Sequence, residues 1–138
     1  MYKRQTVERL KGLREVLAEH PHVQVEVQAG DYTLMPSYLH TLDYLAEHSA
    51  PDAIMGFNQL ITLGALRALR MHNIAHDSLT ICGIDRLPFA DIFGVPIACV
   101  AHDASLAGSS AVRLLLDRLQ DPYKPRDKVV IAGVLENG

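Results

Sequence analysis

Apolar residues along this chain switch between two periodicities. Between Thr6 and Glu19, Val7, Leu10, Leu13, Val16 and Leu17 recur at the three- and four-residue spacing of one helix face, and Pro21 stops the pattern. "VQVEVQ", Val23 to Gln28, then alternates valine with polar residues, which predicts a strand running into the loop "AGDYT". Pro36 suits a first helical turn, and Leu39, Leu42 and Leu45 repeat until Pro51. The short run Ala53 to Phe57 predicts another strand. Asn58 follows as an N-cap, and Leu60, Leu63, Leu66 and Leu69 with Ile61, Ala65 and Ala68 make a wide helical stripe. "LTICGI" from Leu79 and "PIACVA" from Pro96 are continuous apolar runs, the mark of strands buried on both faces. Asp103 can cap a last helix carrying Leu106, Leu114, Leu115 and Leu119. "DPYKPRDK", Asp121 to Lys128, ends it and reads as linker, before a final strand near "VVIAGVL".

Strands alternating with helices predict an α/β fold, a mainly parallel sheet with helices on both faces. The beginning is odd. A parallel α/β unit normally opens on a strand, whereas this chain opens on a helix, so a fragment of a larger fold is expected, with unpaired backbone or a closed gap between the strands near Val23 and Ile54. Residues 1–5 add nothing to the first apolar stripe and form an uncertain edge, leaving 6–138 as the structural unit.

Composition narrows the function. The 138 residues are 49% apolar and 21% charged, a globular balance. Apolar runs end well short of the ~18 residues of a membrane span, and "MYKRQTVERL" lacks the apolar heart of a signal peptide, so a soluble, cytoplasmic chain is expected. Cys82 and Cys99 each sit in an apolar run with no C-x-x-C partner and read as reduced packing residues. A net charge of -3 without a long Lys/Arg cluster removes the electrostatic footprint of DNA binding by this chain alone.

In open parallel sheets, ligands gather beyond the carboxyl ends of the strands. The polar residues there are Asp31-Tyr32, Asn58, Asp85 and His102. Asp accepts hydroxyls, Asn both donates and accepts, and a Tyr ring covers an apolar sugar or base face; together they suit a carbohydrate or nucleoside. The plainer reading, that Asn58, Asp85 and Asp103 are only caps and turn formers, holds for any one of them more easily than for all.

The ordered set "PDAIMGFNQLITLGALRALR", "DSLTICGID" and "VPIACVAHDASLAG" resembles the effector-binding core of LacI/GalR-type transcriptional repressors, and the likeness runs from about Arg9 to the C-terminus. The resemblance implies one lobe, the C-terminal one, of a periplasmic-binding-protein-like type I fold. Its effector would lie between lobes, and the 103–120 helix would belong largely to the absent first lobe. It further implies that Arg9, Tyr32, Asn58, Asp85 and His102 bind ligand, and that a homodimer forms near Leu63 and Phe93. DNA would be reached only through a missing N-terminal domain. The plain alternative for Leu63 and Phe93 is core packing. Gln59, Ile84, Arg86 and Ala98-Cys99 depart from the family pattern, which leaves the effector open; Arg9 with Arg86 would suit an acidic ligand, though an exposed Arg86 is the commoner state.

The expected role is therefore effector sensing without catalysis, cofactor or metal. A sugar-binding component of an uptake system is one alternative. Another is an α/β enzyme acting on a sugar or nucleoside, for which Asp85 and His102 would have to lie within ~3.2 Å. The His72/His76 and His20/His22 pairs lack the further ligands of a metal site. A Cys99–His102 nucleophile would bury its thiol in a strand, and no G-x-G-x-x-G or P-loop follows any strand.

Overall fold

The structure, a computed structural model, describes residues 4–74, 79–88 and 90–137, without the side chain of Phe93. In chain order the elements are α1 (Arg4–Ala18), α2 (Leu34–Glu47), β1 (Ala53–Gly56), α3 (Gln59–Met71), β2 (Thr80–Ile84), a 3-10 turn (Ala90–Phe93), β3 (Ile97–Ala101), α4 (Ala104–Gln120) and β4 (Val134–Glu136). The four strands lie in the order β1-β2-β3-β4; β1, β2 and β3 run parallel, and β4 returns antiparallel beside β3. The mainly parallel α/β sheet is thus as the sequence predicts.

Register explains the core. Ile54 sits opposite Ile81 and Ile81 opposite Ile97, so one face carries a row of isoleucines. Leu66 and Leu69 of α3 pack on that row with Leu79, Leu87 and Val95, and Leu69 and Ile81 are the largest fully buried side chains. Close approach of α3 to the sheet and to α2 requires glycine. A Cβ on Gly56 would stand 2.8 Å from the Thr62 amide nitrogen, and one on Gly64 would stand 2.5 Å from the Leu34 carbonyl oxygen. Ser37, at the same crossing, donates to the Ile61 carbonyl at 2.8 Å.

Two expectations change. "VQVEVQ" forms no strand: residues 21–30 are exposed throughout, and none joins a ladder. Its alternation is a local preference, and a strand exists only when a neighbour accepts its backbone bonds. β1 is instead an edge of the sheet. Second, β2 and β3 are buried on one face rather than two. Ile81, Ile97, Cys99 and Ala101 are buried, while Thr80 and Val100 are exposed. Neither α1 nor α4 contributes a buried residue, so cover on the second face is thin. The chain exposes 10216 Å². A compact monomer of 15.2 kDa would expose roughly 7,100 Å².

Candidate functional site

Asn58 stands between β1 and α3 because the chain must leave the strand before the helix begins. Its backbone is extended, and its Oδ1 accepts from the Ile61 amide at 2.8 Å, closing the first turn. The other end of the amide is also engaged, since Nδ2 donates to the Tyr32 carbonyl at 3.4 Å. One residue earlier, the Phe57 carbonyl accepts from Arg9 Nη1 at 2.5 Å. Three segments distant in sequence therefore converge where β1 ends: Arg9 from α1, Tyr32 from the loop before α2, and Asn58. An asparagine amide offers four hydrogen-bonding positions and a guanidinium five N–H groups, so Asn58 and Arg9 keep capacity for a ligand after these bonds are made. Arg9 has no ion-pair partner among the described residues.

Asp85 and His102 form a second cluster at the ends of the next two strands. Gly56 pairs with Gly83 and Ile84 with Val100, which brings the residues after β1, β2 and β3 to one end of the sheet. Asp85 adopts a left-handed backbone, φ 74°, and its amide donates to the Val100 carbonyl at 3.0 Å. Outside glycine, Asp and Asn tolerate that conformation best. His102 Nε2 lies 3.4 Å from Asp85 Oδ1, with both side chains partly open to solvent. That separation allows electrostatic interaction and falls just past the ~3.2 Å reach of a hydrogen bond.

Arg86 is exposed and points elsewhere. Its Nε donates to Glu136 Oε2 at 2.8 Å and its Nη2 to Oε1, a two-pronged fork onto β4. The guanidinium holds the Glu136 carboxyl below its usual range, and the carboxylate raises Arg86 in turn. Cys99 Sγ lies 4.0 Å from Glu136 Oε2, and burial first, then that carboxylate, pushes its thiol up. Cys82 is raised by burial and faces the Ile54 carbonyl. A hollow of about 300 Å³ beside the fork is lined by Arg86, Leu87, Ile97, Cys99 and Glu136 and touches none of the five predicted ligand residues.

Leu63 is half-buried against the main core cluster, and the Phe93 side chain lies outside the described residues. His72 is the exposed C-cap of α3, and His76 lies outside the described residues. Among the described residues no group of three or more His, Cys, Asp or Glu could hold a metal ion. Sequence reasoning missed the Arg9–Phe57 bond and the partner of Arg86. For the second a signal existed: Glu136 is the one acid in the last strand.

A family model described as "Periplasmic binding protein-like domain" matches residues 2–137. Among curated proteins the chain is similar to the HTH-type transcriptional repressor PurR of Photobacterium profundum, 24% identical over 123 residues that cover 86% of this chain and 36% of the relative. It is also similar to the HTH-type transcriptional regulator CelR of Thermobifida fusca, 30% identical over 116 residues, covering 82% of this chain and 34% of that protein. Among solved structures, a complex of the transcriptional regulator CelR with cellobiose superposes with a TM-score of 0.80 at 27% identity, covering 94% of this chain and 41% of that one. The chain spans about a third of the length of the curated relatives it matches.

Proposed function

Because the chain belongs to the periplasmic binding protein-like family, we propose that it is the effector-sensing portion of a LacI/GalR-type transcriptional regulator. In that protein a small polar ligand shifts the balance between DNA-bound and released states. The observation that carries this reading is the convergence of Arg9, the Tyr32 loop and Asn58 beyond β1, beside Asp85 and His102 beyond β2 and β3. Those groups offer directed donors and acceptors, which suits the hydroxyls of a small polar ligand. The complex of CelR with cellobiose supports a carbohydrate as the class to try first. Arg86 is occupied by Glu136, which favours a neutral sugar over a sugar acid or phosphate. DNA contact would come through a separate domain, the protein would act in the cytoplasm, and its homodimer would use the α3 face and the 3-10 turn near Leu63 and Phe93.

The test is a nitrogen–proton correlation NMR titration of the chain with cellobiose and with a matched sugar acid, a method that sees weak binding. The reading expects the amides of Arg9, Asn58, Asp85 and His102 to shift together with the neutral sugars. Shifts scattered elsewhere, or none up to the solubility limit of a broad neutral-sugar panel, would defeat it.

A further inference from the structure

Thr62 is a polar residue in the first turn of α3, yet it is only 3% exposed. A hydroxyl in such a place needs a partner. Thr62 Oγ1 donates to the Asn58 carbonyl at 3.0 Å, alongside the Thr62 amide, which donates to the same oxygen at 3.0 Å. Both lone pairs of that carbonyl are therefore taken by one residue. Back-bonding of a threonine hydroxyl within its own helix is common, and alone it would mean little. Here the acceptor is the N-cap, whose side chain belongs to the candidate site.

The other side of Thr62 lies against the sheet. Gly56 of β1 and Gly83 of β2 are register partners, and Thr62 fills the slot left by the side chains they lack. A Cβ on Gly56 would overlap Thr62 Oγ1 and stand 2.9 Å from the Thr62 Cα, while one on Gly83 would stand 2.8 Å from Oγ1 and 3.7 Å from Cγ2. Each glycine comes two residues before a candidate ligand group, Gly56 before Asn58 and Gly83 before Asp85. One side chain thus meets the start of α3 and the ends of two neighbouring strands.

We propose that Thr62 is the positioning residue of the candidate site: its hydroxyl holds Asn58, and its wedge between Gly56 and Gly83 sets the spacing from Asn58 to Asp85. The inference rests on the effector reading above and adds to it a residue that never meets the ligand. Buried as it is, Thr62 acts on affinity only through the groups it holds. A ligand that bridges two strand ends makes both sets of bonds at one separation only, so a helix start free to drift forfeits part of the binding.

The experiment compares Thr62→Ser and Thr62→Ala with the parent in thermal melts and in NMR titrations with cellobiose, with circular dichroism as the check on folding. Thr62→Ser keeps the hydroxyl and should bind within about twofold of the parent, whereas Thr62→Ala should bind roughly tenfold more weakly, the scale of one hydrogen bond. A size swap separates positioning from packing. A Cβ on Gly83 meets Thr62 Oγ1 closely and the Gly56 carbonyl oxygen only at 3.6 Å, so Gly83→Ala should lower the melting temperature and adding Thr62→Ala should restore most of it. Affinity should stay low in that double variant, because no hydroxyl holds Asn58. Recovered affinity there would overturn the proposal and leave packing alone as the role of Thr62. So would a serine variant as weak as alanine, or an alanine variant that binds like the parent. A parent chain that does not bind cellobiose counts against that sugar and not against Thr62, and spectra without ligand then decide. In these, Thr62→Ala should move the Asn58 carbonyl carbon and the Asp85 amide together; an Asp85 amide that stays in place overturns the proposal.

Discussion

Asn58→Ala separates the two jobs of that side chain. It removes the acceptor for the Ile61 amide, a 2.8 Å bond, and the donor to the Tyr32 carbonyl, a 3.4 Å contact. Loss of an N-cap costs about 1 kcal/mol, within a range of 0.5–2. The longer contact exceeds the usual ~2.7–3.2 Å of N–H···O bonds and adds little. The expected loss is therefore about 1 kcal/mol, read from urea unfolding followed by circular dichroism at unchanged denaturant slope. Asn58→Asp keeps the acceptor and places a negative charge at the start of α3, where it is worth about 0.3–1 kcal/mol at best. That variant should match or exceed the parent. An alanine variant within about 0.3 kcal/mol of the parent would refute the capping argument. An aspartate variant as weak as alanine would show instead that the bond to Tyr32 matters. In the sugar titration Asn58→Asp should bind less well, because it is folded but has lost its N–H donors; unchanged binding would remove the amide from the ligand site.

Gly64→Ala should destabilise the chain by about 1–3 kcal/mol in thermal melts, since its Cβ would press on the Leu34 carbonyl and on Ser37 where α2 crosses α3; an unchanged melting temperature would mean that this crossing is looser than described. Arg86 holds the Glu136 carboxyl below its ordinary value, so the contribution of the pair is fully present above the normal carboxylate range and fades as pH falls through the lowered value. Carbon-13 NMR should find Glu136 titrating at an ordinary position in Arg86→Gln, and a titration equal in both proteins would remove Arg86 as the cause. Cys99 is buried with a raised thiol and should resist iodoacetamide at neutral pH until denaturant is added, as mass spectrometry can follow, while the half-buried Cys82, its thiol also raised, should label sooner than Cys99; rapid native labelling of Cys99 would contradict its burial in β3.

Where local chemistry decides, sequence and structure agree. Asn58 and Asp103 cap the helices they precede, accepting from Ile61 and Leu106, because an N-cap needs only its own next turn. α3 lies on its apolar stripe, burying Ala65, Leu66, Ala68 and Leu69, because that period belongs to the helix alone, whereas α2 buries only Ser37, where α3 crosses it, and leaves Leu39 exposed. Val23 to Gln28 shows the opposite case. Alternation records which residues would suit a strand, and pairing depends on a neighbour elsewhere. The apolar runs of β2 and β3 likewise state what those strands tolerate on both faces, while cover depends on where α1 and α4 lie. In the site, residue types at strand ends were readable, yet the Arg9–Phe57 bond spans 48 positions and the Arg86–Glu136 bond spans 50, and no local pattern encodes either.

The uncovered surface also sets how this chain melts. Heat capacity and denaturant sensitivity scale with the area that unfolding newly exposes, and here much of that area already faces water. Set against a compact protein of the same mass, the chain releases only about four-fifths as much surface. Its stability curve is correspondingly flat, its thermal transition broad, and its cold limit remote. The missing heat capacity should appear as a negative increment in calorimetry whenever that exposed apolar surface is buried by binding.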